Sequence, residues 1–232
     1  MALVLELRNK ARATVDGFFC SSSPDIRPVG DIDSGGWYIN VSEPLRVIYC
    51  AGVGLDMSFE VALAKMAAEP VLVFDPSPTG IATVEKSDIT NIKFFPVGLA
   101  VHSGSIEFSL PKDAAEGSYS VVQDGVETIQ FDCYDLGTIM STNGDSYIDL
   151  LKMDIEGFEF DIVNQLLDQC IPVRQLCVEF HSWLRPGQTL KTIARLHRAG
   201  YRLIHKKRGD YTFLLDESRY AELQRSHSQQ PA

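Results

Sequence analysis

From residue 45 onward, short apolar runs alternate with amphipathic stretches of helix length, which commits the chain to a mostly parallel sheet covered by helices. Residues 45–50 form the first apolar run, and Ala51-Gly52-Val53-Gly54-Leu55-Asp56 turns out of it. Residues 57–68 place Phe59, Leu63 and Met66 on one side of a helix. Residues 71–74 read as a second strand, 79–87 as a helix and 92–97 as a third strand. Residues 148–153 and 156–168 repeat the pattern as strand and helix, and 176–180 read as a fifth strand. Residues 189–199 form a helix stopped at Gly200, where a left-handed residue commonly ends one. Residues 201–205 and 211–215 predict a closing antiparallel pair, and 100–110 an edge hairpin turning at Gly104. The expectation is an α/β, Rossmann-like sheet with helices on both faces and an antiparallel C-terminal hairpin.

Outside this core, residues 1–19 resemble a helix, and 21–36 are rich in Ser, Pro and Gly, as in a loop or lid. The expected organisation is an N-terminal helix and lid over 1–40, the main domain over 41–225 and a disordered tail over 226–232. Apolar residues of the first helix, among them Leu3, Leu7 and Phe18, can cover the domain or meet a second copy in a homodimer. A formal net charge of −10 opposes binding to nucleic-acid backbones or anionic membranes. The five cysteines form no CxxC pair, so neither a zinc site nor a disulfide framework is expected. With no leader pattern and no membrane-length apolar run, a cytoplasmic protein is expected.

Two glycines, Gly52 and Gly54, follow the first strand, where a backbone must turn tightly and approach a ligand. Asp75 ends the second strand, where a carboxylate can accept ribose hydroxyls. A third glycine is missing, because Met57 takes its place, so no pyrophosphate cradle is expected and a nicotinamide cofactor is disfavoured. Asp56 suits a cationic or zwitterionic ligand instead.

The run Leu150-Leu151-Lys152-Met153-Asp154-Ile155-Glu156-Gly157-Phe158-Glu159 puts acids at the carboxyl end of an apolar strand. Their simplest structural use is Asp154 capping the next helix and Glu156 in its first turn. The run resembles the signature of the FkbM-type S-adenosylmethionine-dependent methyltransferases. Val73-Phe74-Asp75-Pro76-Ser77-Pro78, residues 95–100 and Cys177-Val178-Glu179-Phe180-His181 extend that resemblance over about residues 45–215. It implies S-adenosyl-L-methionine as cofactor, held by Gly52, Gly54, Asp56, Asp75 and Pro76, with Gly98 and Leu99 beside the adenine and Asp154 beside the methyl donor. It also implies O-methylation of a small molecule or glycan hydroxyl. One departure is Cys50, which stands where many such enzymes carry an acid. That departure keeps a second reading open, a catalytically silent binding domain with the same fold.

Methyl transfer needs a group to take the acceptor's proton. Glu156, Glu179 and His181 are the candidate catalytic residues, with His181 or Glu156 as general base. Glu179 and His181 are two apart and share a side if both are in strand geometry. Pairing of Glu179 with Lys152 is the structural alternative. Asp154, Glu156, Glu179 and His181 are also of the types that bind divalent ions, but the spacing selects no metal and none is expected. The polar segment 112–125, centred on Ser118-Tyr119-Ser120, suits a substrate loop.

Overall fold

The computed structural model describes residues 20, 23–111, 113 and 117–227. The expected N-terminal helix and the last residues of the expected tail lie outside them. Twelve strands and six helices are found among the described residues. The strands are β1 (Ile26–Val29), β2 (Trp37–Asn40), β3 (Ile48–Ala51), β4 (Val71–Phe74), β5 (Ile92–Phe95), β6 (Gly98–Leu99), β7 (Gly104–Ser109), β8 (Thr128–Tyr134), β9 (Ile148–Met153), β10 (Val173–Glu179), β11 (Tyr201–Lys207) and β12 (Asp210–Leu215). The helices are α1 (Ser58–Met66), α2 (Pro78–Glu85), α3 (Leu136–Asn143), α4 (Glu159–Asp168), α5 (Gln188–Arg198) and α6 (Glu217–His227).

The main sheet has the order β11-β12-β10-β9-β3-β4-β5. β3, β4, β5, β9 and β10 run parallel, and β12 enters antiparallel between β10 and β11. The expected α/β class and closing hairpin are both present. β9 is buried at all six positions, so its near-continuous apolar sequence is that of a strand covered on both faces. Its one acid before the end, Asp149, accepts from the amides of Arg46 and Val47 and from the Tyr220 hydroxyl. Helix ends follow local chemistry. Ser77 caps α2 by accepting from the Gly80 amide at 3.0 Å, with Pro78 at the first helical position.

Four expectations change. Residues 100–110 do not form a hairpin of their own: β7 begins at Gly104 and pairs antiparallel with β8 in a separate sheet of order β6-β8-β7. The 21–36 segment is more than a loop, since β1 pairs with β2. The boundary at residue 40 is no break either. The Asn40 amide donates to Gln175 Oε1 at 2.6 Å and Thr212 Oγ1 donates to the Tyr38 carbonyl, which stitches β2 to β10 and β12. Finally, α6 reaches His227, into the range expected to be a tail. No helix among the described residues is long and apolar enough to cross a membrane.

Candidate active site

The chain runs from β3 outward to β4 and β5, then returns to β9 on the other side of β3. A sheet whose order reverses in this way opens a crevice at the carboxyl ends of its strands. Here the crevice is a cleft of about 320 Å³. Gly52, Gly54, Asp56, Asp75, Pro76, Gly98, Leu99, Asp154, Glu156 and Glu179 all line it. Of the expected site residues only His181 is set behind the wall. Ser34 to Gly36, from the segment read as a loop or lid, border the cleft, and two contributors escaped the sequence reading: the rings of Phe108 and Phe131, and Asp210 from the final hairpin. Gly117, Ser118 and Tyr119 from the polar segment also face the cleft.

The glycine turn is braced from two sides. Asp75 is buried and accepts from the amides of Val53 (2.7 Å), Gly54 (3.1 Å) and Ser77 (2.8 Å). Those three bonds use most of a carboxylate's acceptor capacity. From below, the ammonium of Lys152 donates to the Gly52 carbonyl and lies 3.5 Å from Glu60 Oε1. Lys152 and Glu60 are both buried, with side chains 5% and 1% exposed. Cys50 is buried beside them and does not reach the cleft. Burial disfavours the charge on both partners: the Glu60 carboxyl is raised, whereas in Lys152 the attraction of Glu60 and Asp154 outweighs burial and raises the ammonium. Asp56 accepts from the Ser58 amide at 2.8 Å and the Ser34 hydroxyl at 3.1 Å. Its partial burial works against ionisation, but these bonds prevail and hold its carboxyl below the usual range.

The turn after β9 overturns the capping alternative. Glu156 (φ +53°) and Gly157 (φ +106°) are successive left-handed residues, so no helix can begin at 156. α4 starts at Glu159, and its flanking residue Phe158 makes no side-chain cap. The sequence reading passed over Glu159, which is fully buried. Its carboxylate accepts from the amides of Ile155 and Gly157 at 3.0–3.1 Å and from His181 Nδ1 at 2.7 Å. The opposite ring nitrogen, Nε2, lies 3.2 Å from Glu156 Oε2 and 3.9 Å from Asp154 Oδ1. Glu179 does not pair with Lys152; it shares a hydrogen bond with Asp154. The four expected catalytic and donor-side groups therefore do converge, with Asp154 at their centre.

Charge sets their proton states. Burial alone would lower His181, but the hydrogen bond and charge of Glu159, then Glu156 and Asp154, carry it up to about 10. The three carboxylates around the ring thus favour its protonated form. Burial, reinforced by Asp154, raises Glu179 to about 8, and burial followed by Asp154 raises Asp210 to about 6. Burial also raises Glu156, partly offset by His181. For His181 the folded value exceeds the ordinary ~6.5, so its contribution to stability is complete below that pH and is lost as pH rises toward the folded value. Glu179 acts in the same direction at lower pH, because its folded form also holds the extra proton. The thermal midpoint should accordingly fall between about pH 6.5 and 10, and fall less in His181→Asn. Parallel pH curves for the two proteins would show that His181 is neutral in the fold.

The sheet order, the reversed final hairpin and the strand-end cleft define a Rossmann-like α/β protein. More narrowly, the chain belongs to the FkbM methyltransferase family: the sequence model of the Methyltransferase FkbM domain matches residues 40–203. It is 27% identical over 149 residues to the hexuronic acid methyltransferase AglP of Haloferax volcanii. That match covers 61% of this chain and 59% of the relative's length. Among solved structures it is similar to a methyltransferase FkbM from Methylobacillus flagellatus, with 16% identity and a TM-score of 0.45. That similarity covers 74% of this chain and 43% of the other.

Proposed function

We propose that this protein transfers the methyl group of S-adenosylmethionine to a hydroxyl of a small sugar-like acceptor, in free or glycan form. The observation that carries the reading is the single cleft onto which the glycine turn, Asp75 and the acid pair Asp154–Glu156 all open. Membership of the FkbM family supplies methyl transfer as the class of reaction. The relative that acts on a hexuronic acid points to sugars as the class of acceptor.

In this reading the cofactor's amino acid end lies along Gly52 to Asp56, its ribose near Asp75 and its adenine between Leu99 and the phenylalanines. The sulfonium faces Asp154. A positive sulfonium favours the ionised state of the neighbouring Asp154–Glu179 pair, so cofactor binding itself prepares Glu179 to accept a proton. Bound there, S-adenosylmethionine would supply an electrophilic methyl group to the acceptor oxygen and leave as S-adenosylhomocysteine with the C–S electron pair, and Glu179 would receive the hydroxyl proton. His181, anchored by Glu159, stands among these carboxylates with Nε2 toward Glu156 and Asp154.

Calorimetric titration tests the proposal. S-adenosylmethionine and S-adenosylhomocysteine should bind in the micromolar range and NADH should not. Absence of binding by the first two would overturn it, and tight NADH binding would replace it with an oxidoreductase. Asp75→Ala should weaken S-adenosylmethionine by about tenfold or more, since the unbraced turn no longer presents its amides. It should also cost stability, because three amides lose their partner. An unchanged affinity would remove Asp75 from the cofactor's support.

A further inference from the structure

We propose that Asp154, Glu156 and His181 hold a divalent cation of the Mn²⁺ or Mg²⁺ type at the acceptor end of the cleft. One ligand atom from each lies within 4.8 Å of the others. Neighbouring ligands on an ion with bonds of ~2.1 Å stand about 3 Å apart, close to the 3.2 Å between His181 Nε2 and Glu156 Oε2.

The arrangement is more than a gathering of acids. The His181 side chain is only 7% exposed, and its ring is aimed into the cluster. Glu159, entirely buried, accepts a hydrogen bond from Nδ1 at 2.7 Å and so turns Nε2, the ligating atom, toward the two carboxylates. A carboxylate that orients a histidine from behind is the usual outer support of a metal ligand. Glu159 is itself fixed by two backbone amides of the same turn. Asp154 and Glu156 are partly open to the cleft, so an ion here would keep positions free for an acceptor.

The surrounding charge gives the ion a purpose. Asp154, Glu156, Glu179 and Asp210 all face the cleft, while Lys152 is committed to Glu60 and the Gly52 carbonyl. An acceptor bearing its own carboxylate meets repulsion there unless a cation stands between them. Bound to an acceptor hydroxyl, the cation would lower its pKa and orient its oxygen toward the methyl group, unchanged itself by the transfer. This use rests on the methyl-transfer reading, but the existence of the site does not. It departs from the metal-free site expected from the sequence.

The test is titration of EDTA-stripped protein with Mn²⁺, with free Mn²⁺ followed by electron paramagnetic resonance. One Mn²⁺ should bind per chain, and Mg²⁺ should compete. Glu156→Gln and His181→Ala should each weaken binding by about tenfold or more, with folding checked by circular dichroism. Asp154→Asn serves if either fails to fold. No binding at millimolar Mn²⁺, or equal binding by the folded variants, would overturn the proposal. S-adenosylmethionine titrated into the same stripped protein separates the two readings. Cofactor binding without Mn²⁺ binding removes the cation alone, and Mn²⁺ binding without cofactor binding removes the methyl-transfer reading alone.

Discussion

Gly52→Ala should abolish cofactor binding and destabilise the fold by more than about 4 kcal/mol, one of the largest effects available to a single methyl group. Gly52 sits at φ +85°, where a side chain costs roughly 1–2 kcal/mol by itself. The larger penalty is spatial. A Cβ there would lie 1.8 Å from the Asp154 carbonyl oxygen, a backbone atom that cannot swing aside. The turns after β3 and β9 would have to separate, and with them the two halves of the cleft. Gly54 provides the control. It is also left-handed, at φ +57°, but a Cβ there meets nothing within 4 Å, so Gly54→Ala should cost only the conformational term. Guanidinium denaturation of the two variants decides the matter; equal losses would mean that the close approach to Asp154 contributes nothing.

Lys152→Met should cost about 3–5 kcal/mol, because it leaves Glu60 charged and alone in a dry interior. The Gly52 carbonyl loses its donor in the same stroke. Adding Glu60→Leu should recover much of the loss, since an apolar pair of similar volume often replaces a buried ion pair at little cost. A double-mutant cycle by chemical denaturation measures this coupling. If the two single losses simply add, the pair is not coupled and the turn is held by Asp75 alone.

The strands of the parallel core were legible where burial on both faces leaves apolar runs, as in Leu150-Leu151 of β9 and Leu176 to Val178 of β10, whereas the start of β10 was hidden by its buried polar residues Arg174 and Gln175. β8 was missed, although Ile129, Phe131 and Cys133 alternate along it, because it lies beyond a polar segment and pairs back across it to β7. β1 and β2 were hidden by a composition that suits turns, and only their docking on β10 and β12 makes strands of them. At the site, Asp154, Glu156, Glu179 and His181 were legible from their position at strand ends. Glu159, Lys152 and Glu60 were not, since each reads locally as an ordinary helix or strand residue. The Lys152–Glu60 pair forms across a long stretch of chain, and Glu159 gains its role from His181 and from a left-handed turn that its own sequence neighbours do not announce. The proton on His181 was hidden for the same reason: its pKa reflects three carboxylates that meet only in the folded structure.

The position of β3 bears on how the protein is made. This early strand lies inside the sheet between β9 and β4, and Lys152, which fastens its turn, is 100 residues further along. Asp210, on the cleft wall, comes later still. Pairings this distant in sequence form slowly, because a long loop must close before any contact rewards it. A chain emerging from the ribosome has its glycine turn long before it has the partners that hold that turn open to a ligand. A ligand of the cleft should therefore recognise the finished molecule alone, and would act as a late clamp on folding rather than a guide to its first steps.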